Sequence, residues 1–97
     1  MKIVSNSSPI ISLVRIGELS LLKKLFKEIF IPEAVYKELS INGKIGSERI
    51  SANKWIRVIA VKDELAVNLL EQSLDKGESE AIILAKEINA DMLLIDE

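Results

Sequence analysis

Residues 74–97, LDKGESEAIILAKEINADMLLIDE, contain a helix followed directly by a strand, and this pair indicates the class of fold. Asp75 and Glu78 match a capping box, in which each of two side chains bonds to the other residue's backbone N–H at the start of a helix. Asn89 ends the helix, and the apolar run 92–95 is a short strand. Within the helix, four apolar residues recur at helical spacing and mark one buried stripe: Ala81, Leu84, Ala85 and Ile88. A helix that precedes a short apolar strand is typical of a layered α/β protein.

The same alternation runs through the rest of the chain. Further strands are predicted at 2–5, 28–31 and 55–61, and helices at 9–16, 18–27 and 63–73, with one more that starts at Pro32. Ser8 is the predicted N-cap of the first helix, with Pro9 at its first position, and Gly17 ends that helix. Residues 40–53 are polar and are predicted to form a loop that contains one helical turn or a short helix. Strands separated by helices favour a parallel sheet that is covered by helices.

The length and composition indicate one globular domain. A chain of 97 residues can bury one core, and 48% hydrophobic with 29% charged residues is typical of a folded protein rather than a disordered one. No apolar run reaches the roughly 20 residues that a membrane-spanning helix needs. The start, with a single Lys2, is unlike a signal peptide. We therefore expect a cytoplasmic protein without a membrane partner.

The sequence contains no histidine and no cysteine. This excludes Ser-His-Asp and Cys-His catalysis, imidazole zinc sites and histidine general bases. Any chemistry must therefore come from carboxylates, lysines, hydroxyl groups or a metal ion held by oxygen.

The net charge is −2, from 13 basic and 15 acidic residues. A protein that binds nucleic acid mainly through phosphate attraction is usually basic, so this balance argues weakly against tight non-specific binding. It leaves room for a local basic patch. Lys23, Lys24 and Lys27 cluster on one predicted helix and Arg57 lies on a strand, although scattered surface lysines are the more common explanation.

Four polar positions are candidates for a site. Asn6 follows the first strand and Asp96 follows the fourth, so the two share an edge of the sheet if those strands are parallel neighbours. Glu38 and Glu80 border the buried stripes of their helices, and Glu38 stands near a helix C-terminus, where the dipole disfavours a negative charge. The alternative for each glutamate is a border residue whose charge extends into water.

Carboxylates that converge in a poorly solvated cleft repel one another unless a cation neutralises them. Oxygen ligands without histidine select hard ions, so the expected metal is Mg²⁺ or Mn²⁺. Such an ion positions a water molecule and stabilises a phosphoryl transition state.

Three segments in order resemble the PIN-like domains (PilT N-terminus), in particular a prokaryotic branch of them: SNSSPIISL at 5–13, IPEAVYKEL at 31–39, and the stretch 74–97 quoted above. The resemblance covers the whole chain as one domain, 1–97. It implies a three-layer α/β/α sandwich with a parallel, Rossmann-like sheet of about four strands. It also implies a Mg²⁺- or Mn²⁺-dependent endoribonuclease, often the toxin of a toxin–antitoxin pair, with RNA as substrate and an antitoxin protein as partner.

The resemblance assigns the site residue by residue. Asn6, followed by Ser7, stands where the family has an aspartate followed by a hydroxyl residue. Glu38, Glu80 and Asp96 match the second, third and fourth acids, and these three are the expected catalytic residues. All four positions, Asn6, Glu38, Glu80 and Asp96, are the expected metal ligands.

Two departures from the family pattern bear on these expectations. Asparagine at position 6 keeps an oxygen ligand but loses a negative charge and cannot act as a base. The usual C-terminal strand and helices of the family are also missing, which predicts an exposed edge at the fourth strand. The alternatives are a truncated version, a fragment of a longer product, or a subunit whose edge is covered by another copy or a partner, and we favour a homodimer or higher oligomer. The competing hypotheses are a catalytically weak or inactive PIN-like module that binds protein or RNA, and a plain α/β domain without a site.

Overall fold

The computed structural model describes residues 1–41, 45 and 47–95. Within them, strands and helices alternate along the chain as the sequence predicts. The strands are β1 (Ile3–Ser5), β2 (Ile29–Pro32), β3 (Ile56–Ile59) and β4 (Met92–Leu94). The helices are α1 (Ser7–Arg15), α2 (Ser20–Phe26), α3 (Glu33–Ile41), α4 (Ser47–Ala52), α5 (Glu64–Leu70) and α6 (Lys76–Glu87).

The four strands of the described residues form one all-parallel sheet in the order β3-β2-β1-β4. In β1, Val4 is opposite Phe30 of β2 on one side and Leu93 of β4 on the other. The predicted first and fourth strands are therefore parallel neighbours, and β4 lies at an edge of the sheet. The α/β fold class predicted from the sequence is confirmed.

Helices cover both faces of the sheet. On one face, Ile3, Ile29 and Ile31 pack with apolar side chains of the first four helices, including the fully buried Val35 and Leu39 of α3. On the other face, the buried core is smaller: Val4 of β1 packs with Ala81 and Leu84 of α6. Alternate residues of β1 point to opposite faces, which is why Ile3 and Val4 belong to different cores. The arrangement is a three-layer sandwich.

The first helix begins earlier than predicted, so the prediction of Ser8 as its N-cap is wrong. Asn6 is the N-cap: its backbone is extended (φ −77°, ψ 174°) and its side chain accepts a hydrogen bond from Ser7 N. Pro9 lies within the first turn, where its missing N–H leaves no helical bond unmade. Gly17, with φ of +72°, ends the helix as expected. The predicted end of the helix is therefore confirmed, with Ile16 as the C-cap and the left-handed Gly17 directly after it.

Other boundaries differ from prediction by a few residues. Pro32 ends β2 and does not begin a helix, and α3 starts at Glu33. Of the predicted loop at 40–53, residues 40 and 41 belong to α3 and residues 47–52 form the short helix α4, while residues 42–44 and 46 lie outside the described residues. Among the described residues, no helix has the length and apolar character needed to cross a membrane.

Candidate functional site

Three elements meet at the carboxyl edge of the sheet. Asn6 follows β1 directly, and α3 starts directly after β2. The helix α6 precedes β4 and runs antiparallel to it, so its first turn also lies at this edge. Because α3 and α6 pack against each other, side chains from both helices converge where strand ends and helix starts come together.

Glu38 is held on α3 by two features of its surroundings. Ser7 Oγ donates a hydrogen bond of 2.6 Å to Glu38 Oε2. On the opposite side, the carboxylate lies against Gly77 in the first turn of α6, where a Cβ atom would stand 2.8 Å from Glu38 Cδ and collide with Oε1. The absence of a side chain at Gly77 therefore makes room for the Glu38 carboxylate. The start of α6 also favours a negative charge at that place.

Asn6 is buried, with 6% of its surface exposed. Its Oδ1 accepts from Ser7 N at 2.9 Å, and its backbone N donates to the Leu94 carbonyl of β4 at 2.9 Å. Ser7 thus connects the two candidate positions, because its backbone N–H bonds to Asn6 and its hydroxyl bonds to Glu38. A cap role accounts for Asn6 Oδ1 by itself.

Glu80 lies on α6 and bonds across to the neighbouring helix. Its Oε1 accepts from Ala34 N at 3.0 Å. Ala34 is in the first turn of α3, whose N–H groups have no partner within the helix, so Glu80 supplies a cap from another element. This bond fixes the Glu80 carboxylate between the two helices.

Between α3 and α6 there is an open cleft of about 400 Å³, which we call the acidic cleft. Its described lining includes four carboxylates and two ammonium groups: Glu33, Glu38, Glu64, Glu80, Lys37 and Lys76. The carboxylates exceed the ammonium groups by two, which equals the charge of one divalent cation. Every candidate ligand atom of these side chains is a carboxylate oxygen, the donor type that Mg²⁺ and Mn²⁺ prefer.

At the start of α6, neighbouring carboxylates repel the negative charge of Glu78. The pKa of Glu78 is raised above its ordinary value, first because the Asp75 carboxylate repels its charge, and to a smaller extent because of burial, a hydrogen bond with Asp75 and repulsion from Glu38. Asp75 itself accepts from Glu78 N at 2.8 Å. That bond is one half of the predicted capping box.

The structure brings Glu38 and Glu80 to one cleft. Asn6 is not among the described residues that line this cleft and is connected to it through Ser7. Asp96 lies outside the described residues. Within 1–41, 45 and 47–95, no three acidic side chains are grouped closely enough to hold an ion by themselves. The assignment of the four positions as metal ligands stays a prediction.

The sequence pattern does not identify several residues of the site. Glu33 and Glu64 lie in the first turns of their helices, where the helix dipole is a sufficient explanation for an acid, and the sequence assigns no role to Lys37, Lys76 or Gly77. The signal for Lys37 was its position one turn after Glu33, on the same helix face. For Gly77 no local signal existed, because the reason for the glycine is a carboxylate from another helix.

Comparison with protein families gives one result for this chain. A family model described as a PIN domain matches residues 2–97. Neither the curated proteins nor the solved structures gave a significant match. The match covers nearly the whole chain and includes both helices of the acidic cleft.

Proposed function

This chain belongs to the PIN-domain family, and on that basis we propose that it is a divalent-metal-dependent ribonuclease whose active site is the acidic cleft. One observation carries the proposal: Glu38 and Glu80, on two facing helices, line a single cleft at the carboxyl edge of a parallel sheet. Ligands of open α/β sheets bind at this edge.

The chemistry of the lining supports Mg²⁺ or Mn²⁺ as the cofactor. The candidate donors are Glu38 and Glu80 together with Asp96, whose carboxylate follows β4 in the sequence. When bound, such an ion supplies an activated water molecule and neutralises charge on the phosphoryl group. The described lining carries two more negative than positive charges, an excess that one divalent cation would neutralise.

The residues of the chain have separate tasks in this proposal. The Ser7 hydroxyl fixes one oxygen of Glu38, and the Ala34 N–H fixes one oxygen of Glu80, so both carboxylates are oriented before a ligand arrives. The ammonium groups of Lys37 and Lys76 line the same cleft and attract the phosphate of an RNA chain. Carboxylates alone would repel it.

The proposal is tested by incubating purified protein with single-stranded and structured RNA in Mn²⁺ or Mg²⁺. Wild type is compared with Asp96→Ala and with Asn6→Asp. We expect cleavage by wild type that requires the ion and is abolished by Asp96→Ala. No cleavage in either ion would contradict the proposal.

A second candidate function is an inactive PIN module that binds RNA or protein. The observation that favours it is the state of Asn6, whose Oδ1 is buried and already accepts the helix-capping bond from Ser7 N. An asparagine in that position contributes no charge to an ion. Cleavage gained only in Asn6→Asp would support this alternative over the first.

The toxin role is a further part of the proposal, and it rests on family resemblance. If the chain is a toxin, we expect cells that express the wild type alone to stop growing. Cells that express Glu80→Gln should continue to grow. Equal growth of cells that express wild type and Glu80→Gln would contradict it.

A further inference from the structure

The charged residues are divided unevenly along the chain. Residues 1–57 contain ten basic and five acidic residues, whereas residues 58–97 contain three basic and ten acidic residues. The net charge of −2 therefore combines a basic part with a strongly acidic one. A small overall charge of this kind is compatible with local binding of a polyanion by the basic part.

The basic part contains a groove of about 390 Å³ at the amino edge of the sheet, which we call the basic groove. Its lining includes Gly17, Ser20, Lys23, Arg49, Asn53 and Trp55. Trp55 immediately precedes β3, and Gly17 follows the end of α1, a helix that begins at the opposite edge. The basic groove and the acidic cleft therefore lie at opposite edges of the sheet.

The chemistry of the basic groove suits an oxyanion. Lys23 and Arg49 are exposed and bring two positive charges, and none of the described lining residues is acidic. The one ion pair among the described residues joins Arg57 to Glu28 and lies elsewhere. Ser20 adds a hydroxyl group, which donates to phosphate oxygens as readily as to water.

The wall of the basic groove is held in place by hydrogen bonds. Asn53 Nδ2 donates to the Arg49 carbonyl at 2.7 Å, and Trp55 Nε1 donates to Asn53 Oδ1 at 3.2 Å. Trp55 is 9% exposed and packs in the larger core. The helix that carries Arg49 is thereby tied to a buried ring, so the groove exists before a ligand binds.

We propose that the basic groove binds the phosphate groups of an RNA chain outside the acidic cleft. The choice of RNA rests on the proposed function, whereas the preference for phosphate comes from the groove itself. Lys23 and Arg49 bind the backbone without reading bases, because their charges meet phosphate oxygens. The groove therefore raises affinity for RNA and leaves the chemical step unchanged.

Trp55 provides a direct probe, because it lines the groove and is the only tryptophan of the chain. Its emission is followed while the full chain is titrated with a single-stranded RNA or with inorganic phosphate. RNA affinity is measured in parallel by fluorescence anisotropy at several salt concentrations. The double variant Lys23→Gln with Arg49→Gln is compared with a matched control, Lys62→Gln with Lys86→Gln, which removes the same charge from the acidic part.

We expect RNA to change Trp55 emission and the Lys23/Arg49 variant to lose about five- to tenfold in affinity. For this variant, the slope of log K against log salt should become less steep by about 1.4. Each of the two lost phosphate contacts to a single strand contributes about 0.7 to that slope. Equal affinities for the double variant and its control would overturn the inference, as would RNA binding that leaves Trp55 emission unchanged. A response of Trp55 to inorganic phosphate but not to RNA would also overturn it and would assign the groove to a small anion.

The assay separates this inference from the nuclease proposal. Binding is measured without Mn²⁺ or Mg²⁺, so an inactive protein still reports on the groove. If cleavage occurs, the Lys23/Arg49 variant should raise KM for long RNA and keep kcat. If wild type does not bind RNA at all, the inference fails whatever the outcome for cleavage.

Discussion

The acidic cleft and the basic groove lie at opposite edges of one sheet and are built in opposite ways. The cleft is lined by four carboxylates and two ammonium groups, and its two central carboxylates are fixed by hydrogen bonds from other elements. The groove has two exposed cations and no acid among its described lining residues. The overall charge of −2 therefore describes neither region. In our proposals the cleft carries the chemical step and the groove adds affinity for RNA, so variants of the two regions should differ in their effects.

Among the variants, Glu80→Gln should reduce cleavage the most if the cleft is the active site. Glu80→Gln removes a charge but keeps an oxygen that accepts the Ala34 N–H bond, so the fold should persist. We expect single-turnover cleavage of RNA in Mn²⁺ to slow by about 100-fold, equivalent to about 2.7 kcal/mol of transition-state stabilisation.

The control for that variant is Glu18→Gln, an exposed glutamate outside the acidic cleft, which should keep the wild-type rate. The Lys23/Arg49 variant, in contrast, should change KM and not kcat. If Glu80→Gln raised KM alone, the division of tasks between the two regions would be wrong.

Replacing Glu80 with alanine separates its charge from its role as a cap. Glu80→Ala leaves the Ala34 N–H in the first turn of α3 without its partner, and losing a helix cap costs about 1 kcal/mol. For a domain of this size we expect the Tm to fall by about 4–8 °C, measured by circular dichroism. Glu80→Gln should lose much less. Equal Tm values for the two variants would show that the bond does not stabilise the helix.

Gly77→Ala should damage the cleft without unfolding the protein. The new Cβ would displace the Glu38 carboxylate from its place beside Ser7, whereas the backbone of Gly77 has no positive φ, so alanine adds no backbone strain. We expect the Tm to change by only a few degrees and cleavage to fall about tenfold. A large loss of stability with normal activity would contradict this description of Gly77.

The smallest expected effect concerns pH. The pKa of Glu78 is raised above its ordinary value of 4.5, so the folded state holds this proton more tightly than the unfolded state does. The stability therefore falls as the pH rises from 4.5 through the raised pKa. Glu78→Gln removes the repulsion from Asp75 and Glu38 and should raise the Tm slightly at pH 7. That gain should vanish near about pH 3.5, well below the raised pKa of Glu78, where Glu78 is itself protonated and carries no charge to be repelled. A gain of the same size at both pH values would contradict the electrostatic cause.

The order of elements could be predicted from the sequence because apolar periodicity is local. The short apolar runs and the buried helical stripe that contains Ala81 and Leu84 predicted a parallel sheet covered by helices. The N-cap of α1 was misplaced, since Ser8 before Pro9 is a common helix start and only the end of β1 shows that Asn6 occupies the cap. Caps within one segment, such as Asp75, were predicted correctly.

The site was predictable only in part. Glu38 and Glu80 were selected because each borders a buried stripe, and the two do line one cleft. The bonds that orient them come from Ser7 and Ala34, which are 31 and 46 residues away along the chain. Gly77 and the lysines of the cleft acquire their roles from the packing of α3 against α6. No pattern within one helix contains that information.

Mn²⁺ binding, followed by electron paramagnetic resonance, tests most directly whether the acidic cleft is a metal site. We predict that the wild-type chain binds Mn²⁺ and that Glu38→Gln and Glu80→Gln each weaken binding at least about tenfold, or about 1.4 kcal/mol, while Glu18→Gln binds as wild type does. Mn²⁺ binding that is equal in all four proteins, or absent from the wild type, would contradict the assignment of the acidic cleft as a metal-dependent active site.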